Sequence, residues 1–263
     1  MFSFFKNKSN PTPPGPQITS ADNEHHGLNW STLLSDANQE SILQTLCTDP
    51  QEKDVEILAE SKSPQEYLIL VTNQNTRSIL RNEYLITAFP YLKTDRRETF
   101  QVRAIQEWSY TNHLEAVISV SYQDELGIKF FATDYSFNAE KYQTSEPLQI
   151  NITGLGYFIE DINLDEVQKQ LTAAISPKVP MATGFSENFC CLIPQKESAT
   201  YSFIGKIKQF HEYLLGKTSG YLITLNVTPD YELTFFIADF NLRTEPAVNK
   251  AVYGVVWLTG TLE

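Results

Sequence analysis

Two cysteines and one histidine are the side chains best suited to nucleophilic chemistry in this chain. Cys190 and Cys191 are adjacent, and His211 follows 20 residues later. A thiolate can attack an acyl carbon when a neighbouring base lowers its pKa and the sulfur is accessible. The two cysteines, however, lie between Phe189 and Leu192, as they would in a buried strand. We therefore interpret them as core residues and predict no catalytic residue.

Motifs for metal and phosphate binding are missing from the sequence. Its four histidines and three cysteines form no Cys-x-x-Cys or His-Glu-x-x-His pattern. His25 and His26 have no second ligand pair at metal spacing, so we interpret them as solvated residues of a tail. Gly154-Leu155-Gly156 lies on a strand pattern and lacks the third glycine of a nucleotide-binding loop. We predict no metal and no cofactor.

Aromatic and basic residues near predicted strand ends are the remaining candidates for ligand binding. Such rings can stack on sugars, on bases or against a partner chain, although they can equally fill a core. The candidates are Trp108, Tyr110, Tyr213, Trp257, Lys206 and Lys208.

A six-residue segment that occurs twice indicates how these residues are positioned. Phe130-Phe131-Ala132-Thr133-Asp134-Tyr135 recurs 105 residues later as Phe235-Phe236-Ile237-Ala238-Asp239-Phe240. The match extends without a gap over 116–135 and 221–240, where apolar residues alternate along a strand, a polar turn follows, and the aromatic strand comes next. Each copy therefore predicts a β-hairpin, and the recurrence indicates an internal duplication.

The match continues on both sides of the hairpins when gaps are allowed. Ile105 and Trp108 correspond to Ile207 and Phe210 after a three-residue adjustment. Gly154–Phe158 corresponds to Gly254–Leu258 if the second copy lacks five residues of the preceding loop, Ser136–Glu146. Each copy then holds about five strands.

Small antiparallel units of this size close into barrels, in which strand glycines permit tight bends. The second copy, from Gly205-Lys206-Ile207 to Gly254 and the strand after it, resembles the OB-fold-like barrels of uncharacterised bacterial proteins. This resemblance implies two tandem five-stranded barrels and carries over no binding residue. The predicted fold class is mainly β (α+β), with a short N-terminal α/β segment and a linking helix.

The chain divides into five predicted segments. Helical apolar spacing from Asn29 to Cys47 and strand patterns at 54–60 and 65–72 define the N-terminal α/β segment, although Pro64 with Glu66 is also compatible with the start of a helix. Asn163 caps the linking helix. The segments are a disordered proline-rich tail (1–27), the α/β segment (28–85), a first barrel (86–160), the helical linker (161–188) and a second barrel (189–263).

Two acids end the repeated aromatic strand. Asp134 and Asp239 occupy the same position of the two copies. A repeated carboxylate can be a ligand, but a carboxylate at a strand end more commonly accepts a hydrogen bond in the following turn. We predict the turn role.

Composition limits the partners. The net charge is −12, so an acidic surface disfavours nucleic acids and anionic membranes. The apolar runs are too short to span a bilayer, and the N-terminus lacks the layout of a secretion signal, so we expect a cytoplasmic protein.

The main hypothesis is a non-enzymatic binding or scaffold protein that acts through protein contacts, because two related surfaces in one chain allow bivalent binding. One alternative is a single-stranded nucleic-acid or oligosaccharide binder that uses one barrel face. The other is a hydrolase whose carboxylate or histidine site is assembled by the fold.

Overall fold

The computed structural model describes residues 15–22, 26–36, 40, 56–62, 67–73, 75–82, 84–166, 190–195 and 199–262. Strands predominate in these ranges, which confirms the mainly β prediction. Among the described helices, none combines the length and apolar character that a bilayer span requires.

The described strands form two sheets. Four antiparallel strands make the smaller sheet: β2 (Glu56–Lys62), β3 (Tyr67–Asn73), β4 (Thr76–Arg81) and β5 (Tyr84–Pro90). The larger sheet has ten strands: β1 (Gln17–Ala21), β6 (Glu98–Trp108), β7 (Ala116–Tyr122), β8 (Leu126–Ala132), β9 (Leu148–Asp161), β10 (Cys191–Pro194), β11 (Thr200–Leu215), β12 (Thr218–Asn226), β13 (Glu232–Ala238) and β14 (Ala251–Thr261).

Short helical segments connect the strands. Helix α1 covers Tyr135–Tyr142 after β8. Three 3-10 helices cover His26–Thr32, Ser109–Thr111 and Asp239–Asn241.

The ten-stranded sheet joins two similar halves, which we define as the first half (β6 to β9) and the second half (β11 to β14). Its strand order is β1-β6-β7-β8-β14-β9-β13-β12-β11-β10. The last strand of each half pairs in parallel with the third strand of the other half, β9 with β13 and β14 with β8. Strands β9 and β14 also pair antiparallel with each other. The two separate five-stranded barrels are therefore not confirmed, because the halves exchange their last strands.

The hairpins of the two halves have the same register. Val117 pairs with Phe131 in the first half, and the matching residues Leu222 and Phe236 pair in the second. This agreement confirms the gap-free sequence match over the hairpins.

The gapped parts of the match are wrong. Ile105 pairs with Ile118, whereas Phe210 pairs with Ile223. Since Ile118 matches Ile223, Ile105 is equivalent to Phe210 rather than Ile207, and no adjustment is needed. In the last strands, Leu155 pairs with Phe236 and Thr259 with Phe131. Leu155 is thus equivalent to Thr259, and the loop before the last strand of the second half is shorter by about one residue instead of five.

Each face of the ten-stranded sheet buries a core. One core combines residues of both halves, among them Phe130, Phe203 and Phe235. The other lies between the sheet and the N-terminal elements, where Phe131 and Phe236 meet Leu70, Phe89 and other residues of the smaller sheet. The two phenylalanines of each repeated segment therefore point to opposite faces, and all four are fully buried. This confirms that the repeated strand is core.

The N-terminal predictions are partly wrong. Residues 17–21, expected in a disordered tail, form β1 and pair in parallel with β6. The expected strands at 54–60 and 65–72 are confirmed as β2 and β3. Strand β5 runs across the proposed boundary at residue 85. Residues 1–14, including the phenylalanines and prolines of the tail, lie outside the described residues, as does most of 37–55.

The linker helix is described only at its start. Residues 164–166 are helical, and the side-chain oxygen of Asn163 accepts hydrogen bonds from the backbone N–H groups of Asp165 (3.1 Å) and Glu166 (3.4 Å). This confirms Asn163 as the N-cap. Residues 167–189 lie outside the described part of the chain.

Candidate functional site

His26 is the buried polar residue that links the N-terminal segment to the large sheet. Only 7% of its surface is exposed, so its assignment to a solvated tail is wrong. Its Nε2 lies 2.7 Å from Oε1 of Glu115, which is 2% exposed and directly precedes β7. Buried polar groups of this kind cost free energy unless they are hydrogen-bonded.

A chain of hydrogen bonds extends from this pair, and we call its five members the His26 cluster: His26, Glu115, Thr87, Asn29 and Tyr157. Thr87 donates its hydroxyl proton to Oε1 of Glu115 (3.0 Å). Asn29 Nδ2 lies 3.2 Å from His26 Nδ1, and the Tyr157 hydroxyl donates to Asn29 Oδ1 (2.5 Å). Burial raises the pKa of Tyr157, which keeps this hydroxyl protonated.

The hydrogen-bond directions in the cluster are mutually consistent. Because Asn29 accepts from Tyr157 through its oxygen, its amide N–H faces Nδ1 of His26, which accepts. Nε2 then carries the proton and donates to Glu115. Both nitrogens of the ring are engaged, so the imidazole has no free position with which to transfer a proton to a bound molecule.

Aromatic rings enclose the imidazole of His26. Trp108 stacks on it at 5.0 Å between ring centroids, and Phe131 meets it edge-on at 4.8 Å. Phe89 and Trp257 lie at 5.3 and 5.8 Å. These rings exclude water and strengthen the hydrogen bonds of the cluster.

Local backbone geometry places Glu115 at this point. After β6, the 3-10 helix Ser109–Thr111 ends in two residues with positive φ, Asn112 (55°) and His113 (64°). This reversal returns the chain to β7, and the N–H of Trp108 donates to the carbonyl of Glu115 (2.9 Å). The carboxylate therefore lies beside Trp108 on the face that the N-terminal segment covers.

A second polar connection joins the two sheets. The guanidinium of Arg77 on β4 is fully buried, lies 4.6 Å from the ring centroid of Tyr91 and donates to Thr133 Oγ1 (2.8 Å). Thr133 belongs to the repeated segment. No sequence pattern marks Arg77, His26 or Glu115 as functional, because each is an isolated residue whose partners are distant in sequence.

The structure separates the six residues predicted to bind ligands. Trp108 (8% exposed) and Trp257 (4%) lie in the core around His26, and Tyr213 packs on Phe236. Tyr110 is 67% exposed on the 3-10 helix after β6. Lys206 and Lys208 lie on β11, where Lys208 forms an ion pair with Glu232. Only Trp108 and Trp257 are brought close to the same group, and that group is His26.

Two of the surface grooves among the described residues lie elsewhere. One, of about 910 Å³, runs between the start of β1, the first half of β6 and the turn between β7 and β8, and contains Glu98, Arg103 and Asp124. The other, of about 500 Å³, lies around Asp161 and Asn163. None of the six predicted residues lines either groove.

The cysteine pair has the surroundings of a structural element. Cys190 is buried beside Gly205, and burial raises the pKa of its thiol. Cys191 is half-buried, and burial raises its pKa as well. A raised pKa disfavours the thiolate, so these sulfurs are poor nucleophiles and poor metal ligands. Among the described residues, no three His, Cys, Asp or Glu side chains are grouped as a metal site requires.

No family model, no curated protein and no solved structure matches this chain.

Replacing His26 with leucine is expected to lower the free energy of unfolding by about 2 kcal/mol, because Glu115 and Asn29 each lose a buried partner. The substitution should also increase the rate at which protease cleaves the N-terminal segment of the folded protein. His211→Leu is the control, since His211 is exposed on β11, and it should change stability by less than about 0.5 kcal/mol. Equal urea midpoints for the two variants would contradict the linking role.

Proposed function

We propose that this chain is a non-enzymatic, protein-binding scaffold. The groups best able to do chemistry, His26, Glu115, Asp134 and Cys190, are buried, and their described contacts hold parts of the fold together. The net charge of −12 supports a protein rather than a nucleic acid as the partner.

The observation that carries the proposal is the exposure of apolar side chains on the first 3-10 helix and at the start of β5. Leu28 is 75% exposed on the first 3-10 helix, and Tyr84 (77%) and Leu85 (46%) begin β5, which contacts that helix. Among the described strands, β5 is also an edge of the smaller sheet. Exposed apolar groups at a sheet edge are typical of surfaces that another protein covers.

The similarity of the halves also supports a scaffold. Matching hairpins in the same register, followed by exchanged last strands, are the arrangement that an internal duplication would produce. Two related surfaces held in one rigid sheet would then bind two partners or two parts of one partner.

Affinity capture with the intact chain as bait tests the proposal. Wild-type protein should retain a defined partner that the double variant Tyr84→Ser/Leu85→Ser loses. Val248→Ser is the matched control, because Val248 is 56% exposed in the loop before β14. Retention of no partner, or equal retention by both variants, would refute the proposal, as would turnover of a small molecule by the purified chain.

A further inference from the structure

The edge of β11 from Gln209 to Tyr213, which we call the open edge, differs from its counterpart in the first half. The equivalent residues of β6 are Ala104–Trp108, and β1 pairs with all five of them in parallel. Among the described residues, no strand pairs with the open edge on the same side. The two halves thus have equivalent edges, but the described part of the chain contains a strand that pairs with only one of them.

The pairing of β11 identifies the side on which this edge lies. On one side, β11 pairs with β12 from Ile207 to Leu215. On the other side it pairs with β14 from Thr200 to Lys206, and this contact ends where Ile207 exchanges hydrogen bonds with Asn249 (2.8 Å) and Lys250 (3.0 Å). In the first half, the pairing between β9 and β6 stops at the corresponding place, and β1 pairs with β6 beyond it.

The backbone groups of the open edge point outward at alternate residues. Leu215 and Thr218 close the two-residue hairpin between β11 and β12, so residues 215, 213 and 211 bond to β12. Phe210, Glu212 and Leu214 therefore direct their N–H and C=O groups away from β12. The matching residue Ile105 shows the same direction, since its carbonyl accepts from the Thr19 hydroxyl of β1 (3.5 Å).

The surface around the open edge is accessible. Gln209, His211 and Glu212 are exposed, and Leu214 is 64% exposed. The β-bulge at Lys208 lies before the edge, as the bulge at Arg103 lies before the residues that pair with β1, so it does not prevent pairing.

The geometry points to a binding site for an extended, uncharged segment of a partner protein, which would pair in parallel with the open edge. This inference rests on the proposed function. Strand β1 defines the chemistry, because Gln-Ile-Thr-Ser-Ala carries no charge and covers the equivalent edge with its backbone while four of its five side chains stay exposed. Main-chain hydrogen bonds supply the affinity in this mode of recognition. The β1 of a second copy is not the segment that binds, since the β1 of each copy already pairs with its own β6.

Amide hydrogen exchange on the intact chain tests the site, with a capped, uncharged peptide of residues 15–21 as the probe. At about 1 mM peptide, the amides of Phe210, Glu212 and Leu214 should exchange more slowly. Glu212→Pro removes an outward N–H without affecting the pairing with β12 and should weaken peptide binding about tenfold, the cost of about one hydrogen bond. Glu212→Val keeps the N–H and should bind within about threefold of wild type.

Three results would overturn the inference. The peptide could protect none of the three amides, or only amides of β6, where it would replace β1. Alternatively, the free chain could be a dimer that Glu212→Pro converts to a monomer, which would assign the edge to a second copy. If affinity capture still yields a partner that depends on Tyr84 and Leu85, these results refute the open edge alone and leave the proposed function intact.

Discussion

Replacing Gly220 with alanine is expected to lower the free energy of unfolding by about 3 kcal/mol. Gly220 lies on β12 opposite Ala238 of β13. A Cβ atom at this position would lie 2.1 Å from the carbonyl oxygen of Ile237 and 2.9 Å from the Cα of Ala238. Both are backbone atoms, so no rotation of a side chain relieves the overlap. The β12–β13 ladder must separate locally, and β13 is central to the sheet because it also pairs with β9.

Thermal and urea unfolding of Gly220→Ala measure this effect, with Gly127→Ala as the matched control. Gly127 is also a strand glycine, on β8, but a Cβ there meets no atom within 4 Å. The control should change stability by less than about 0.5 kcal/mol, whereas Gly220→Ala should lower the Tm by about 6–12 °C. Similar Tm values for both variants would show that β12 and β13 are not paired at this register.

The hairpins were predictable from sequence because their two strong signals agree. Apolar alternation assigned the faces of 116–122 and 221–227, and the repeated aromatic segment aligned the copies without a gap. Register in a hairpin is local information, since the strands are joined by a short turn.

The exchange of β9 and β14 was not predictable in the same way. Each last strand is buried on both faces over most of its length and would suit pairing with the third strand of either half. Which pairing forms depends on contacts between residues about 80 or more positions apart, such as Leu155 with Phe236. The resemblance to tandem barrels assumed that each half closes on itself, whereas the observed sheet closes each half with a strand of the other.

The wrong alignment of β6 with β11 has a local cause. Both strands contain a β-bulge, between Val102 and Ala104 and between Ile207 and Gln209. A bulge adds one residue, so Val102 and Ile105 contribute to the same core although they are three apart. Ile207 and Phe210 repeat this spacing. Apolar residues at intervals of three allow an alignment that is shifted by three residues. This shift matches Ile105 to Ile207 instead of Phe210.

The His26 cluster was beyond sequence analysis for a different reason. His26 and Glu115 are 89 positions apart, and His26 lies in a segment without apolar periodicity. Glu115 does stand immediately before the apolar strand that begins at Ala116, but a charged residue at a strand start is ordinarily exposed. The cluster exists only because the N-terminal elements fold over the face formed by Trp108 and Phe131.

Asp134 and Asp239, equivalent in sequence, are expected to differ strongly in their contribution to stability. Asp134 is fully buried, and its carboxylate accepts hydrogen bonds from the Tyr142 hydroxyl (2.7 Å), Asn138 Nδ2 (2.8 Å) and the backbone N–H of Leu262 (3.0 Å). It thus ties helix α1 to the end of β14. Asp239 is exposed and accepts from the Ser219 hydroxyl (2.6 Å). The predicted turn role therefore describes neither residue fully. The side chain of Asp134 contacts α1 and the end of β14, and that of Asp239 contacts Ser219 on β12.

Asp134→Ala should lower the free energy of unfolding by about 4 kcal/mol, because three donors, two of them buried, lose their acceptor. Asp239→Ala, the matched control, should cost less than about 1 kcal/mol. Urea unfolding measures both, and a double-mutant cycle with Tyr142→Phe should give a coupling energy of at least about 1 kcal/mol between Asp134 and Tyr142. Equal losses in the two Asp variants, or zero coupling to Tyr142, would contradict the connection between α1 and β14. A stable Asp134→Ala protein that had lost its partner in affinity capture would instead assign the carboxylate to binding.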